Sequence, residues 1–371
     1  MDSSLTRAGT LSNYNLRWGA TRDSRLAARG SPELATGNWQ LSMSFDAVLI
    51  VAFGGPQGRD DVRPFLANVL RGRRVPPGRV EEVAHHYELF DGVSPLTALT
   101  MKQAEMLRSR LEQRGTPMPV YVGMRNWHPF LDDTLTNMSR DGVRRAVGFL
   151  AAAQRSYSSC TQYRENVDAA RASLKQAGLA DVEVVYVGDW HAHPGFVEAN
   201  AEHVCDALRE LPAGVRDDTR IVFTAHSIPV SMAERYPYQK QLEETAAAVA
   251  RRVREQLGAP RESALVFQSR SGRPEDPWLG PDVCDYLRDE RARGLSSAVL
   301  APIGFLCDHI EVLYDLDVEA AAVCRDIGLV MVRAKAVNDH PRFGDTMADA
   351  VVDTVNRYAA GRPLTVVGSH A

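Results

Sequence analysis

Glu311, Asp315 and Glu319 stand four residues apart in the segment 304–319. On an α-helix that spacing keeps three carboxylates along one face, drifting by about 40° per step. Like charges so placed repel one another. A row of them just behind an apolar run, 298–303, points to a cation to be held or protons to be moved. The plain alternative is an acidic face turned to water. A second reactive group closes another apolar run: His226 follows Ile221-Val222-Phe223-Thr224-Ala225 and precedes Ser227-Ile228-Pro229. Pro229 stops strand pairing and disfavours helix at Ile228, which places the imidazole at a strand end. There it can take a proton near neutral pH, ligate a metal, or simply bond to the backbone. Glu311 is expected at the mouth of a later strand of the same sheet, where its charge would favour the imidazolium.

These groups need a scaffold. Apolar runs at 47–53, 119–124, 145–152 and 182–188 read as strands, with helix-like stretches such as 97–114 and 162–176 between them. A second series follows at 219–225, 264–268, 297–303 and 328–334, with helical stretches at 239–256 and 343–359. Short apolar strands alternating with amphipathic helices predict an α/β fold of two halves, each a four-stranded parallel sheet flanked by helices. The expected boundaries are 44–195 and 196–360, the final helix crossing back to brace the first half. Residues 1–43, polar and Arg-rich, read as a disordered extension with Met43 a candidate true start, and 361–371 as a flexible tail. Ligands of such sheets sit at the strands' carboxyl ends. Polar and glycine residues gather there: Phe53-Gly54-Gly55-Pro56, Arg125-Asn126-Trp127-His128, Gln154-Arg155-Ser156-Tyr157, His226-Ser227, Gln268-Ser269-Arg270-Ser271-Gly272 and the acidic segment. One cleft between the halves is the expectation.

Composition narrows the function. The 371 residues are 44% apolar and 24% charged, ordinary for a globular chain, and a net charge of -4 gives no case for nucleic-acid binding. Five scattered cysteines without a C-x-x-C pair argue for a reducing, cytoplasmic setting. No apolar run is long enough to span a bilayer. Gly54-Gly55 followed by Pro56 is no dinucleotide fingerprint, and neither a P-loop nor H-E-x-x-H occurs, so nucleotide chemistry and zinc proteolysis are not expected.

His226-Ser227-Ile228-Pro229, Gln268-Ser269-Arg270-Ser271-Gly272, Pro277-Trp278-Leu279-Gly280-Pro281-Asp282 and Asp308-His309-Ile310-Glu311-Val312-Leu313-Tyr314-Asp315, together with Asp91-Gly92-Val93-Ser94-Pro95-Leu96 and Tyr157-Ser158-Ser159-Cys160-Thr161-Gln162-Tyr163, closely resemble ferrochelatase from about residue 45 to 358. The resemblance implies two Rossmann-like domains with a tetrapyrrole cleft between them, and Fe2+ as a substrate inserted into a porphyrin with loss of two protons and no nucleotide. It makes His226 and Glu311 the catalytic pair, and His226, Glu311, Asp315 and Glu319 the metal-binding set, the acids on a widened helix. It makes Phe53, Arg71, Ser94, Tyr121, Arg125 and Tyr157 candidate porphyrin contacts, with Arg73 and Arg74 beside Arg71 for side-chain carboxylates. Arg125-Asn126-Trp127 and the Tyr157–Tyr163 element look like the bacterial branch that metallates coproporphyrin III, which implies a transient contact with a coproheme decarboxylase. The alternatives are a protoporphyrin IX ferrochelatase, a cobalt or nickel chelatase, and a non-catalytic tetrapyrrole carrier.

The chain departs from its relatives in three places. Phe53 stands where some coproporphyrin-using relatives carry an iron-ligating tyrosine, with Tyr121 a substitute from the next strand. Cys160 matches one ligand of a [2Fe–2S] cluster, but no cysteine follows Cys324, so no cluster is expected. Gln154 replaces an aromatic residue, which implies a more polar cleft wall.

Overall fold

A computed structural model describes residues 45–72, 78–271 and 275–362; the expectations for the N-terminal extension and for most of the tail lie outside them. The first sheet holds β1 (Ala47–Ala52), β2 (Val120–Met124), β3 (Arg145–Leu150) and β4 (Glu183–Tyr186) in the order β2-β1-β3-β4. The second repeats that order with β5 (Arg220–His226), β6 (Ser263–Gln268), β7 (Ser297–Ala301) and β8 (Val330–Arg333) as β6-β5-β7-β8. Every pairing is parallel. The strands β1, β3, β4, β7 and β8 stop one or two residues short of their apolar runs, because the last apolar residues turn into the loops that build the site.

Each central strand is covered on both faces, which is why it reads as continuously apolar. In β1 the period of two sends Val48, Ile50 and Ala52 into one core and Ala47, Leu49 and Val51 into the other. In β5, Ile221, Phe223 and Ala225 enter one core and Val222 the other. Thr224 and His226 continue the Val222 face. That face is roofed by Val312, Leu316 and Ala320, all buried. These three form a ridge at the same four-residue spacing as the acids, one position further along. Burying Leu316 alone is worth about 1.5–3 kcal/mol, against a few tenths for each like-charge pair, so burial decides which way the acidic helix faces.

The halves are joined by shared packing and by buried amides. The Pro341–Ala359 helix inserts Phe343, Met347, Ala348 and Val351 into the core of β1 and β3. The Pro194–Glu210 helix, on which the expected boundary falls, places Phe196 and Ala199 in that core and Val197, Ala201 and Val204 in the core of β5. Gln103 donates to the Asn338 carbonyl at 2.7 Å and to that of Leu306 at 3.4 Å. Gln154 donates to the Ile303 carbonyl at 3.4 Å, and Gln241 accepts from the Arg155 amide at 2.8 Å.

Candidate active site

In both sheets the chain reverses its winding direction about the first strand, so a crevice opens at the carboxyl ends of β1/β3 and of β5/β7. His226 ends β5, and the loop after β7 brings Glu311 to it, with His226 Nε2 3.9 Å from a Glu311 carboxylate oxygen. The imidazole is held from behind. Its Nδ1 faces the Ser227 carbonyl, which can only accept, so Nδ1 donates there and Nε2 is the nitrogen presented to Glu311. Tyr238 donates to the His226 carbonyl at 2.9 Å, and the Ser227 hydroxyl to that of Leu279 at 2.7 Å. His226 and Glu311 keep 34% and 47% of their side-chain surface, so both can reach a ligand.

The helix beyond Glu311 is widened. Leu313–Ala320 is π-helical, and its larger turn takes back the drift that a regular helix gives residues four apart. Asp315 accepts from Gln268 at 3.2 Å and from the Ser269 hydroxyl, and the same Gln268 amide reaches the Glu311 carbonyl at 3.3 Å. Ser269 takes a left-handed backbone (φ 59°) to make that contact. Burial, with the charge of Glu311 adding to it against those two hydrogen bonds, pushes Asp315 up to about 7. Glu319 is also raised, by burial and by Asp282.

In the first half, Gly54 and Gly55 serve close approach. A Cβ on Gly54 (φ +89°) would stand 2.9 Å from the Trp127 amide nitrogen, and one on Gly55 2.7 Å from the Ser94 Cβ. Ser94 is therefore buried packing, its amide donating to the Pro56 carbonyl at 2.8 Å, and not a cleft hydrogen-bond donor as expected. Arg125 sits at the mouth of β2, its Cζ 4.7 Å from the Tyr163 ring and 5.9 Å from that of Phe53, with Nε donating to Asn166. Tyr157 is exposed at the first position of a second π-helical turn and donates to Glu165 at 3.0 Å. Arg71 lies on an exposed turn and bonds to Asn68; Arg73 and Arg74 are outside the described residues.

Two further expectations are corrected. Tyr121 is paired with Leu49, low in β2, and its hydroxyl donates to Asp141 at the far end of the following helix, so it does not stand in for a tyrosine at Phe53. Gln154 is 2% exposed and spent on the seam between the halves; it does not line the cleft.

The family model for ferrochelatase matches residues 45–355. The chain belongs to the ferrochelatase family. Among similar proteins, the coproporphyrin III ferrochelatase of Streptomyces coelicolor is 44% identical over 319 residues, 83% of this chain and 85% of that one. A ferrochelatase of Rhodopirellula baltica is 44% identical over 314 residues, 84% and 87% of the two chains. The coproporphyrin III ferrochelatase of Mycolicibacterium vanbaalenii is 42% identical over 329 residues, 88% and 94% of the two chains. Among solved structures, SirB from Bacillus subtilis with Fe3+ superposes with a TM-score of 0.51 at 11% identity, over 86% of this chain and 100% of that one, which speaks to the fold.

In this ferrochelatase-family chelatase, iron is the substrate. His226, Glu311, Asp315 and Glu319 do not form one coordination cage: among the described residues no three His, Cys, Asp or Glu side chains converge to hold a metal ion. His226 and Glu311 form a pair, while Asp315 is engaged by Gln268 and Ser269 further along the row. No helix among the described residues is long and apolar enough to cross a membrane.

No local pattern in the sequence marks His86, which stacks on Tyr314 with ring centroids 3.5 Å apart and ties the Arg79–Glu88 helix to the π-helix. Gln268 and Ser269, at the end of β6, gain their role only from the fold, which brings Asp315 to them. The Asp315 carboxyl gives a pH signature. Its proton is bound more tightly in the folded chain, so this contribution to stability is complete below about 3.8 and lost as pH rises through about 7. Asp315→Asn, which never ionises, is therefore expected to gain stability over the parent protein on going from pH 5 to pH 8. Thermal unfolding of both at the two pH values checks this, and parallel shifts would contradict it.

Proposed function

We propose that this enzyme inserts Fe2+ into coproporphyrin III, releasing two protons and forming coproheme. The observation that supports the catalytic reading is the His226–Glu311 pair, with Nε2 3.9 Å from a carboxylate oxygen at the carboxyl end of β5. The porphyrin nitrogens lose two protons as iron enters. His226 Nε2 takes a pyrrole proton and Glu311 stabilises the imidazolium that results. Asp315, with a proton affinity near neutrality, receives protons from the pair and passes them toward Glu319. Imidazole and carboxylate hold Fe2+ loosely enough to release it to the macrocycle, as thiolates would not. Arg125, Tyr157 and Arg71 face the substrate's carboxylates, and Phe53 packs against the ring. A carrier would need the crevice but not a free imidazole nitrogen beside an acid.

The choice of porphyrin rests on relatives named for coproporphyrin III at 42–44% identity. No nucleotide takes part: the Gly54-Gly55 turn is filled by Trp127 and Ser94. No cluster forms at Cys160, whose thiol is buried and raised by that burial. We place the reaction in the cytoplasm, in keeping with five free cysteines, and the coproheme passes by transient contact to a decarboxylase. Anaerobic Fe2+ insertion with coproporphyrin III and protoporphyrin IX offered separately tests the reading. Preference for coproporphyrin III is expected. Preference for protoporphyrin IX would overturn the substrate, and tight binding without turnover of either would overturn the enzyme.

A further inference from the structure

One charged network near the row is not used by the chemistry. Arg333, the last residue of β8, has a side chain only 13% exposed and reaches two acids on two different segments. Its Nη1 donates to Asp308 Oδ1 at 2.8 Å, in the loop that leads to Glu311, and to its neighbour's carbonyl, that of Ala334, at 3.2 Å. Its Nε donates to Asp317 Oδ1 at 2.6 Å, on the π-helix itself. Asp308, also 13% exposed, is fully engaged: it accepts from the Ala336 amide at 3.1 Å and from Asn338 Nδ2 at 2.7 Å, and its own amide donates to Asn338 Oδ1 at 2.8 Å. Asp308 is thereby fixed to the end of the second sheet, and Arg333 extends that fixed point to the π-helix.

A π-helix needs such an anchor. The π winding is rare and usually confined to a short bulge within an α-helix, so the eight residues Leu313–Ala320 call for contacts outside the helix to hold it. Rewinding would rotate Asp315 and Glu319 away from Glu311. Asp317 lies two residues from each of them, so a bond at Asp317 sets the phase of both.

We propose that Arg333 is a positioning residue, which through Asp317 locks the π-helix in the winding that lines Asp315 and Glu319 up behind Glu311. The inference rests on the functional reading above. Truncating Arg333 would leave the buried Asp308 charge without its cation and so confuse position with folding. Asp317 keeps 37% of its side-chain surface, and without it Arg333 still has Asp308, so Asp317→Asn is the cleaner variant.

The expected result for Asp317→Asn is a fall in kcat of about 10- to 100-fold, with the porphyrin KM within about twofold and the melting temperature nearly unchanged. Asp317→Glu, which keeps the charge, should recover most of the rate. A kcat equal to the parent's, or losses of KM and melting temperature together with kcat, would overturn the proposal. Amide hydrogen exchange supplies a readout independent of turnover: exchange over residues 313–320 should rise in Asp317→Asn and stay unchanged elsewhere. Unchanged exchange there overturns the clamp, whereas a parent protein that metallates neither porphyrin overturns the functional reading and leaves exchange to decide the clamp.

Discussion

His226→Ala is expected to lower the rate of iron insertion by about 10²- to 10⁴-fold, the range seen when a positioned general base is removed. The variant should fold. The side chain is a third exposed, and the strand around it is held through the backbone, by Tyr238 at the His226 carbonyl and by the pairing of His226 with Gln268. Porphyrin affinity should change little, because Nε2 acts on the inner N–H groups and not on the carboxylates at the ring's edge. The result to look for is thus a collapse of kcat with KM retained, read from anaerobic insertion rates alongside porphyrin fluorescence quenching. Glu311, at 3.9 Å, cannot take over alone: its partner would be missing and its own carboxylate is half in water. Unimpaired insertion by the variant would remove His226 from the mechanism.

Gly304→Ala is the second substitution with a large expected effect, and it acts by geometry alone. A Cβ at Gly304 would lie 2.5 Å from the Ala225 Cβ and 2.8 Å from its Cα. Ala225 is wholly buried and immediately precedes His226. Since the backbone of β5 cannot give, the loop after β7 must move outward, stretching the 3.1 Å bond from the Gly304 amide to the Thr224 carbonyl. Overpacking of this kind costs about 1–3 kcal/mol. It also carries Glu311 away from His226, and a misplacement near 1 Å can cost about 100-fold in rate. Gly214→Ala, where a Cβ would meet nothing within 4 Å, is the matched control. Thermal unfolding and insertion assays on both would show the contrast; equal behaviour of the two would mean that the loop is compliant.

Much of the scaffold was open to reading because buried parallel strands announce themselves as short apolar runs; His226 follows such a run directly, and Glu311 begins the acidic row eight positions beyond the end of another. Gln154 and Ser94 differ from expectation for one reason. A polar residue at a strand end can face the cleft, a neighbouring loop or the other half, and the period of the strand does not say which. Gln154 went to the seam and Ser94 to the glycine turn. Tyr121 was a different matter. Its distance from the strand end was countable, and only the search for a substitute tyrosine placed it in the cleft. The Arg333 network was hidden because its members are drawn from three segments, with Asp308 and Arg333 25 positions apart, and no local pattern links them.

The seam of buried amides also sets the mechanics of the enzyme. Gln103, Gln154 and Gln241 tie the two halves at the back of the cleft through neutral hydrogen bonds shielded from water. With the last helix packed across the same line, swinging the halves apart would break these bonds and expose that core. A change in the spacing of the jaws is thereby opposed at the back of the cleft. When a flat macrocycle is pressed into such a frame, the softer body deforms. On the function proposed above, the ring then carries the distortion that lifts its nitrogens toward His226.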